Sequence, residues 1–240
     1  MDSERSACHA LPRPLARVLR AVAAACLFSV PACAPYRHQT DLRLERVEAL
    51  ALLQTLNADL LAHDSATLTL ERWCADHRLA DPPRIVARRQ RAAQKPLPDD
   101  LRGRLEVQPG EPIGYRHVEL ACGDHVLSEA DNWYLPARLT KDMNDRLDTT
   151  DEPFGKVVAA LHFRRRTLSA QLLWTPLPAG WELGHDGVPA EAAELRIPHA
   201  LLRHEAVLFN EAQAPFSAVV ETYTNAVLDF GPWPQRLEAR

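Results

Sequence analysis

An arginine on an otherwise apolar strand face, a carboxylate within a β-branched run and a proline-led helix start are the groups of this chain best suited to chemistry. Arg116 lies in Tyr115–Cys122, where Arg116, Val118, Leu120 and Cys122 alternate onto one side and His117 and Glu119 onto the other. The apolar side should face inward. Arg116 is therefore placed to meet a buried carboxylate, which a guanidinium clamps through two parallel hydrogen bonds. Glu221 stands among Val219, Val220 and Tyr223, apolar surroundings that suit a carboxyl group to proton traffic. The amides of Phe154 and Gly155 follow Pro153 at a predicted helix start, where free N–H groups favour an anion. A clamp, an anion cradle and a proton carrier would serve a carboxylate-bearing molecule held in a closed, dry cavity.

Other residue types point away from chemistry. The run Arg164-Arg165-Arg166 reads as a solvated face. The ten histidines are scattered without ligand spacing, and His162, His199 and His204 read as structural or exposed. Five cysteines at positions 8, 26, 33, 74 and 122 form no CxxC pair, which argues against structural zinc and a dense disulfide framework. Cys74 and Cys122 read as buried free thiols, with a single bridge between them as the alternative in an oxidising compartment. No metal or cofactor is called for. A net charge of -4 and a pI near 6.2 give no reason to expect nucleic acid as a partner.

The elements that must position these groups follow from periodicity. Asp41–Ala62 carries Leu44, Val47, Ala51, Leu56 and Leu60 near helical spacing, an amphipathic helix. Leu79–Gly114 is punctuated by six prolines and holds one predicted strand, Ile85–Arg89. Tyr115–Cys122 and Val126–Leu135 flank Gly123-Asp124, a hairpin signal. Short helices are predicted over Thr140–Leu147 and Pro153–Leu161, and strands over Leu168–Trp174, Glu205–Phe209 and Ser217–Val227. At 240 residues with 46% hydrophobic and 25% charged, the chain is long enough for one sizeable core. Hairpin-linked strands with interspersed helices argue for an α+β fold, a single antiparallel sheet with helices packed on one side. The predicted organisation is a signal-like or disordered segment over 1–40, one domain over 41–230 and a tail over 231–240.

The order of motifs resembles the chorismate pyruvate-lyase (4-hydroxybenzoate synthase) family over roughly Leu42–Leu228. The first helix ends in Asp64-Ser65-Ala66-Thr67, a strand bearing Arg116 follows, the next strand runs to Pro136, Pro153-Phe154-Gly155 starts a helix, and Pro215–Glu221 leads into Thr222-Tyr223. The resemblance implies a sheet enclosing an internal ligand cavity. It also implies a cofactor-free lyase that eliminates pyruvate from chorismate to give 4-hydroxybenzoate, a step of ubiquinone biosynthesis. Glu221 and Arg116 would be its catalytic groups, and Ala66, Thr67, Arg116, His117, Asn132, Phe154 and Gly155 would line the substrate. Three positions depart from the family pattern. Ala66 stands where Met is common, Phe154 replaces a cavity leucine, and Asn132 replaces a second arginine. Arg116 is offset by one residue against some members, which brings His117 into contention.

The N-terminus points elsewhere. Arg5, Arg13, Arg17 and Arg20 precede the short apolar run Ala21–Val30, and Val30-Pro31-Ala32 precedes Cys33. That order resembles an export signal with a lipid-bearing cysteine, which implies a periplasmic or membrane-attached protein. A start codon placed too early would leave a cytoplasmic one. Because chorismate is a cytosolic metabolite, the alternative reading is a non-catalytic exported lipoprotein of the same fold that binds a small aromatic or carboxylate ligand. Related domains serve as small-molecule sensors on bacterial transcription regulators.

Overall fold

The computed structural model describes residues 34–184 and 195–231, with side chains from Leu42 onward. Contacts divide the chain into two units, Met1–Asp41 and Leu42–Arg240. The export-like segment and Cys33 lie outside the described residues.

Helix α1 runs over Ala34–Ala62 and α2 over Ala66–Asp76. The buried stripe of α1 is Ala49, Leu53, Leu56 and Leu60, spaced four, three and four residues apart as a helix face requires. The expected stripe is therefore rotated: Leu44 is 55% exposed and Ala51 faces solvent. Ser65 starts α2 as its N-cap, its hydroxyl accepting from the Leu68 amide at 3.3 Å. Periodicity had not marked this second helix. It turns Leu70, Trp73 and Cys74 into the core, and the Trp73 indole donates to the Val227 carbonyl at 2.8 Å.

The sheet has six antiparallel strands: β1 (Ile85–Arg89), β2 (Gly114–Cys122), β3 (His125–Tyr134), β4 (Arg164–Leu172), β5 (Ala200–Phe209) and β6 (Pro215–Thr224). Their order is β1-β2-β3-β6-β5-β4, two three-stranded meanders joined at β3 and β6. The β2–β3 hairpin turns through Gly123-Asp124, as the sequence indicates. Gly123 has φ of +57°, and a Cβ there would also strike Ala80 at 2.7 Å. β4 begins four residues before the predicted strand and β5 five residues before its own, so the arginine run enters the sheet. The fold is α+β with a single antiparallel sheet and its long helices on one side.

Val118, Leu120, Leu127, Ala130, Leu201, Leu202, Val219 and Tyr223 meet α1 and α2 in one core cluster. The far end of the same side is packed by α4 (Lys141–Thr149) and α5 (Phe154–Val157), through Met143, Leu147, Phe154 and Val157 against Tyr134, Leu208 and Phe216. Across the sheet, Trp133, Val207, Ala218 and Val220 are covered by Leu97, Leu101 and Leu105, which flank and include the six-residue helix α3 (Asp99–Arg104). Cys74 and Cys122 are joined in a disulfide, their Cα atoms 6.5 Å apart. This corrects the expectation of free thiols. Pairing needs both side chains aimed at one point, which spacing along the chain does not reveal.

Candidate functional site

A cavity of ≈ 50 Å³ lies where the two clusters on the helical side meet. Its floor is the sheet, through Arg116, Val118, Leu120, Ala130, Asn132, Val219 and Glu221. The first turn of α2 and the Phe154-Gly155 segment close it from above. Gly155 permits this closure, since a Cβ there would stand 3.1 Å from the Ser65 hydroxyl and 3.4 Å from that of Thr67.

Arg116 is 1% exposed. Its Nη2 donates to the Glu152 carbonyl at 3.5 Å, and its Nε is buried without a partner among the described residues. No carboxylate pairs with it among the described residues. Burial, with the nearby Arg89 charge adding to it, lowers its pKa to about 10, so the group stays charged at neutral pH. A buried cation left like this is unfavourable unless an anion joins it. Asn132 is cross-strand from Arg116, and its Oδ1 accepts from the Ser217 hydroxyl at 3.0 Å.

Glu221 has a different setting. Its Oε2 accepts from Arg165 Nη2 at 2.6 Å, with both side chains nearly fully buried, and from the Tyr223 hydroxyl at 3.1 Å. Burial pushes the Tyr223 phenol well up, so it remains an O–H donor. Burial works against the Arg165 charge, but the neighbouring Glu221 outweighs it and holds the guanidinium pKa above its usual value. Beside them His204 is fully buried, with Nε2 2.9 Å from Asn57 Oδ1 on α1 and Nδ1 without a partner. Burial, then the Arg165 charge, hold His204 down to about 4, so it is neutral.

Of the residues expected to form the site, Ala66, Thr67, Arg116, Asn132, Phe154, Gly155 and Glu221 line this one cavity. His117 does not. It turns to the opposite side and meets Asp131 at 2.9 Å, where Tyr115 and Lys95 also donate. Phe154 and Gly155 open α5, a single turn of four residues with Pro153 as its N-cap. Arg165, expected on a solvated face, instead lines the cavity, together with Asp64 and Phe163, which were not expected there. The pleat was the missed signal for Arg165: Arg164 faces solvent, Arg165 faces the cavity, and Arg166 stacks over Phe209 at 4.7 Å. Asp64 fastens the start of α2 to β4, accepting from the Arg165 amide at 2.8 Å and from Arg164 Nη1 at 3.0 Å.

No family profile matches this chain. Similar solved structures include the effector domain of PhnF from Mycobacterium smegmatis (11% identity over 64% of this chain and 83% of that one, TM-score 0.39). Others are the C-terminal domain of the histidine utilization repressor from Pseudomonas syringae pv. tomato str. DC3000 (14%, 65% and 98%, 0.36) and a GntR-family transcriptional regulator from Enterococcus faecalis V583 (15%, 62% and 99%, 0.36). At 11–15% identity and TM-scores of 0.36–0.39, these likenesses concern the fold alone.

The expectation of a chorismate-cleaving enzyme of ubiquinone biosynthesis is thereby corrected. The three structures are an effector domain, a repressor C-terminal domain and a GntR-family transcriptional regulator, and Glu221, its expected proton carrier, is closed in an ion pair. A 57% identical relative, "Uncharacterized protein y4mC" of Sinorhizobium fredii (strain NBRC 101917 / NGR234), aligns over 188 residues, 78% of this chain and 79% of its own length. With that identity over that length, this chain belongs to the family of the y4mC protein.

Proposed function

We propose that this protein is a non-catalytic, ligand-sensing module that takes a small carboxylate into the cavity above the sheet. The observation that carries this reading is Arg116, a cation 1% exposed and without a carboxylate partner among the described residues, at the edge of an apolar space. A ligand carboxylate would supply the missing charge through paired N–H···O bonds. Val118, Leu120, Phe154, Leu208 and Val219 would take its apolar body. One water needs about 10–15 Å³ of such space, so a cavity of ≈ 50 Å³ suits a compact acid with a short aliphatic chain or a single ring. Because Arg165 is already neutralised by Glu221, the ligand matched to this charge balance is a monoanion.

We further propose that the site works in an exported protein. Two features support this: the arginines and apolar run that precede Cys33, and the Cys74–Cys122 disulfide, a bond that persists in oxidising compartments.

Calorimetric titration of the full chain with acetate, butyrate and benzoate, beside Arg116→Gln, tests the ligand reading. Binding by the wild type that weakens at least about 30-fold in the variant is expected for loss of a buried charged contact. Equal binding by both proteins would remove Arg116 from the site.

A further inference from the structure

The cavity's two principal walls belong to elements that share a covalent bond. Ser65, Ala66 and Thr67 at the start of α2 form one wall, and Arg116, Val118 and Leu120 of β2 form the other. Cys74 lies in the last turn of α2 and Cys122 is the last residue of β2. Their bond therefore fixes the helix to the strand about two helical turns from the cavity, on the order of 12 Å along α2 at 1.5 Å per residue. α2 also packs on β2 through the shared core, but its hydrogen bonds run to different elements. Glu71 accepts from the Ile85 amide at the start of β1 and from Lys156 on α5, and Trp73 reaches the Val227 carbonyl.

We infer that the Cys74–Cys122 disulfide is the lock that sets the spacing between these walls, so that the carboxylate site is complete only in the oxidised protein. The inference rests on the carboxylate reading for its ligand, but not for its geometry. Both cysteines are 0% exposed, so the bond is shielded in the closed molecule and is made by thiol–disulfide exchange while the thiols are accessible. The exchange is balanced by a partner disulfide, that of a dithiol oxidoreductase or an oxidised small thiol. The Cys74 thiolate attacks it to give a mixed disulfide, the Cys122 thiolate displaces the partner sulfur, and two electrons leave with the partner, which becomes a dithiol. The two protons released by Cys74 and Cys122 are taken up by the departing thiols. A site assembled in this way becomes competent only in a compartment that supplies such an oxidant.

The test uses the full chain, exported into an oxidising bacterial periplasm and trapped with a thiol-blocking reagent. Peptide mapping should recover Cys74 and Cys122 in one linked pair. Amide hydrogen exchange and benzoate titration are then compared between the wild type and Cys74→Ala/Cys122→Ala. Wild type reduced during brief mild denaturation and refolded under reductant serves as a second comparison should the variant fail to fold. Loss of the bond should accelerate exchange at Ala66–Leu70 at least tenfold while β5 and β6 keep their protection, and should weaken benzoate at least tenfold. Benzoate bound by neither form, with exchange still accelerated at Ala66–Leu70, would uphold the lock and sink the ligand reading. Two free thiols in the exported protein, or unchanged exchange at Ala66–Leu70 without the bond, would overturn the lock.

Discussion

Two arginines reach the same cavity from opposite halves of the sheet, and they have opposite circumstances. Arg165 comes from the edge strand β4 and finds Glu221 at 2.6 Å, with Tyr223 donating to the same carboxylate oxygen. Arg116 comes from β2 and finds a single long contact to a carbonyl. Burial opposes charge in both. In Arg165 a counter-ion reverses the effect, whereas in Arg116 it prevails and draws the pKa to about 10. The comparison separates two kinds of buried charge: a pair that satisfies itself belongs to the scaffold, and the charge that does not is the group on which the proposed carboxylate site rests.

The largest expected effect comes from breaking the closed pair. Arg165→Met leaves the Glu221 carboxylate buried with only the Tyr223 hydroxyl, and removal of one partner from such a pair costs about 3–5 kcal/mol. Chemical denaturation should show the loss directly. An unchanged midpoint would mean that the pair is not what holds β4 over the cavity.

A smaller effect probes the same pair from beneath. His204 is across the strands from Glu221 and is kept neutral down to about pH 4, against an ordinary histidine value of 6.5. The unfolded chain therefore binds more protons than the folded one between those two values. The stability associated with neutral His204 is fully present above pH 6.5 and is lost as pH falls towards 4, amounting to about 3 kcal/mol. Unfolding measured at pH 7 and pH 4.5 should show this slope, and His204→Gln should flatten it. A slope that persists in the variant would assign the acid sensitivity to another group.

Legibility in the sequence followed the same division. The pleat of β2 was readable because Val118 and Leu120 alternate with His117 and Glu119, and it distinguishes buried Arg116 from His117, which turns to Asp131. The β2–β3 hairpin and the starts of α4 and α5 were readable from similar local signals, whereas α2 and α3 were not marked. The partner of Glu221 was not, because Arg165 is 56 residues away and stands in a run of three arginines that looks solvated until strand alternation divides it. Without that partner, Glu221 looked free to carry protons. The Cys74–Cys122 bond and the rotated stripe of α1 were hidden for a related reason: each depends on which way a helix is rolled against the sheet, a tertiary choice that local spacing underdetermines.

The open arginine should respond in the reverse sense to the closed one. Arg116→Met keeps much of the side-chain volume and removes a buried charge with no counter-ion, so the ligand-free protein should gain about 1–2 kcal/mol while losing carboxylate binding. In the wild type, affinity should hold across neutral pH and fall as pH rises through about 10, where the guanidinium gives up its proton. If Arg116→Met destabilises as much as Arg165→Met, Arg116 has a protein partner in solution and the contrast between the two fails.

The smallest stability effect is expected at the residue that sets the room around Arg116. Phe154 is nearly buried, lies 5.6 Å from the Tyr134 ring and 6.3 Å from that of Phe216, and closes the cavity opposite the sheet. Phe154→Leu removes part of one ring from this cluster and should cost about 1 kcal/mol. The same change enlarges the cavity next to the guanidinium, so longer acids should gain affinity relative to acetate while Arg116 still anchors the carboxylate. Titration of an acetate-to-hexanoate series against wild type and Phe154→Leu reads this as a shift in preferred chain length. An unchanged length preference would show that the ligand body lies along Leu208 and Phe163 instead, on the side of the cavity held by Arg165.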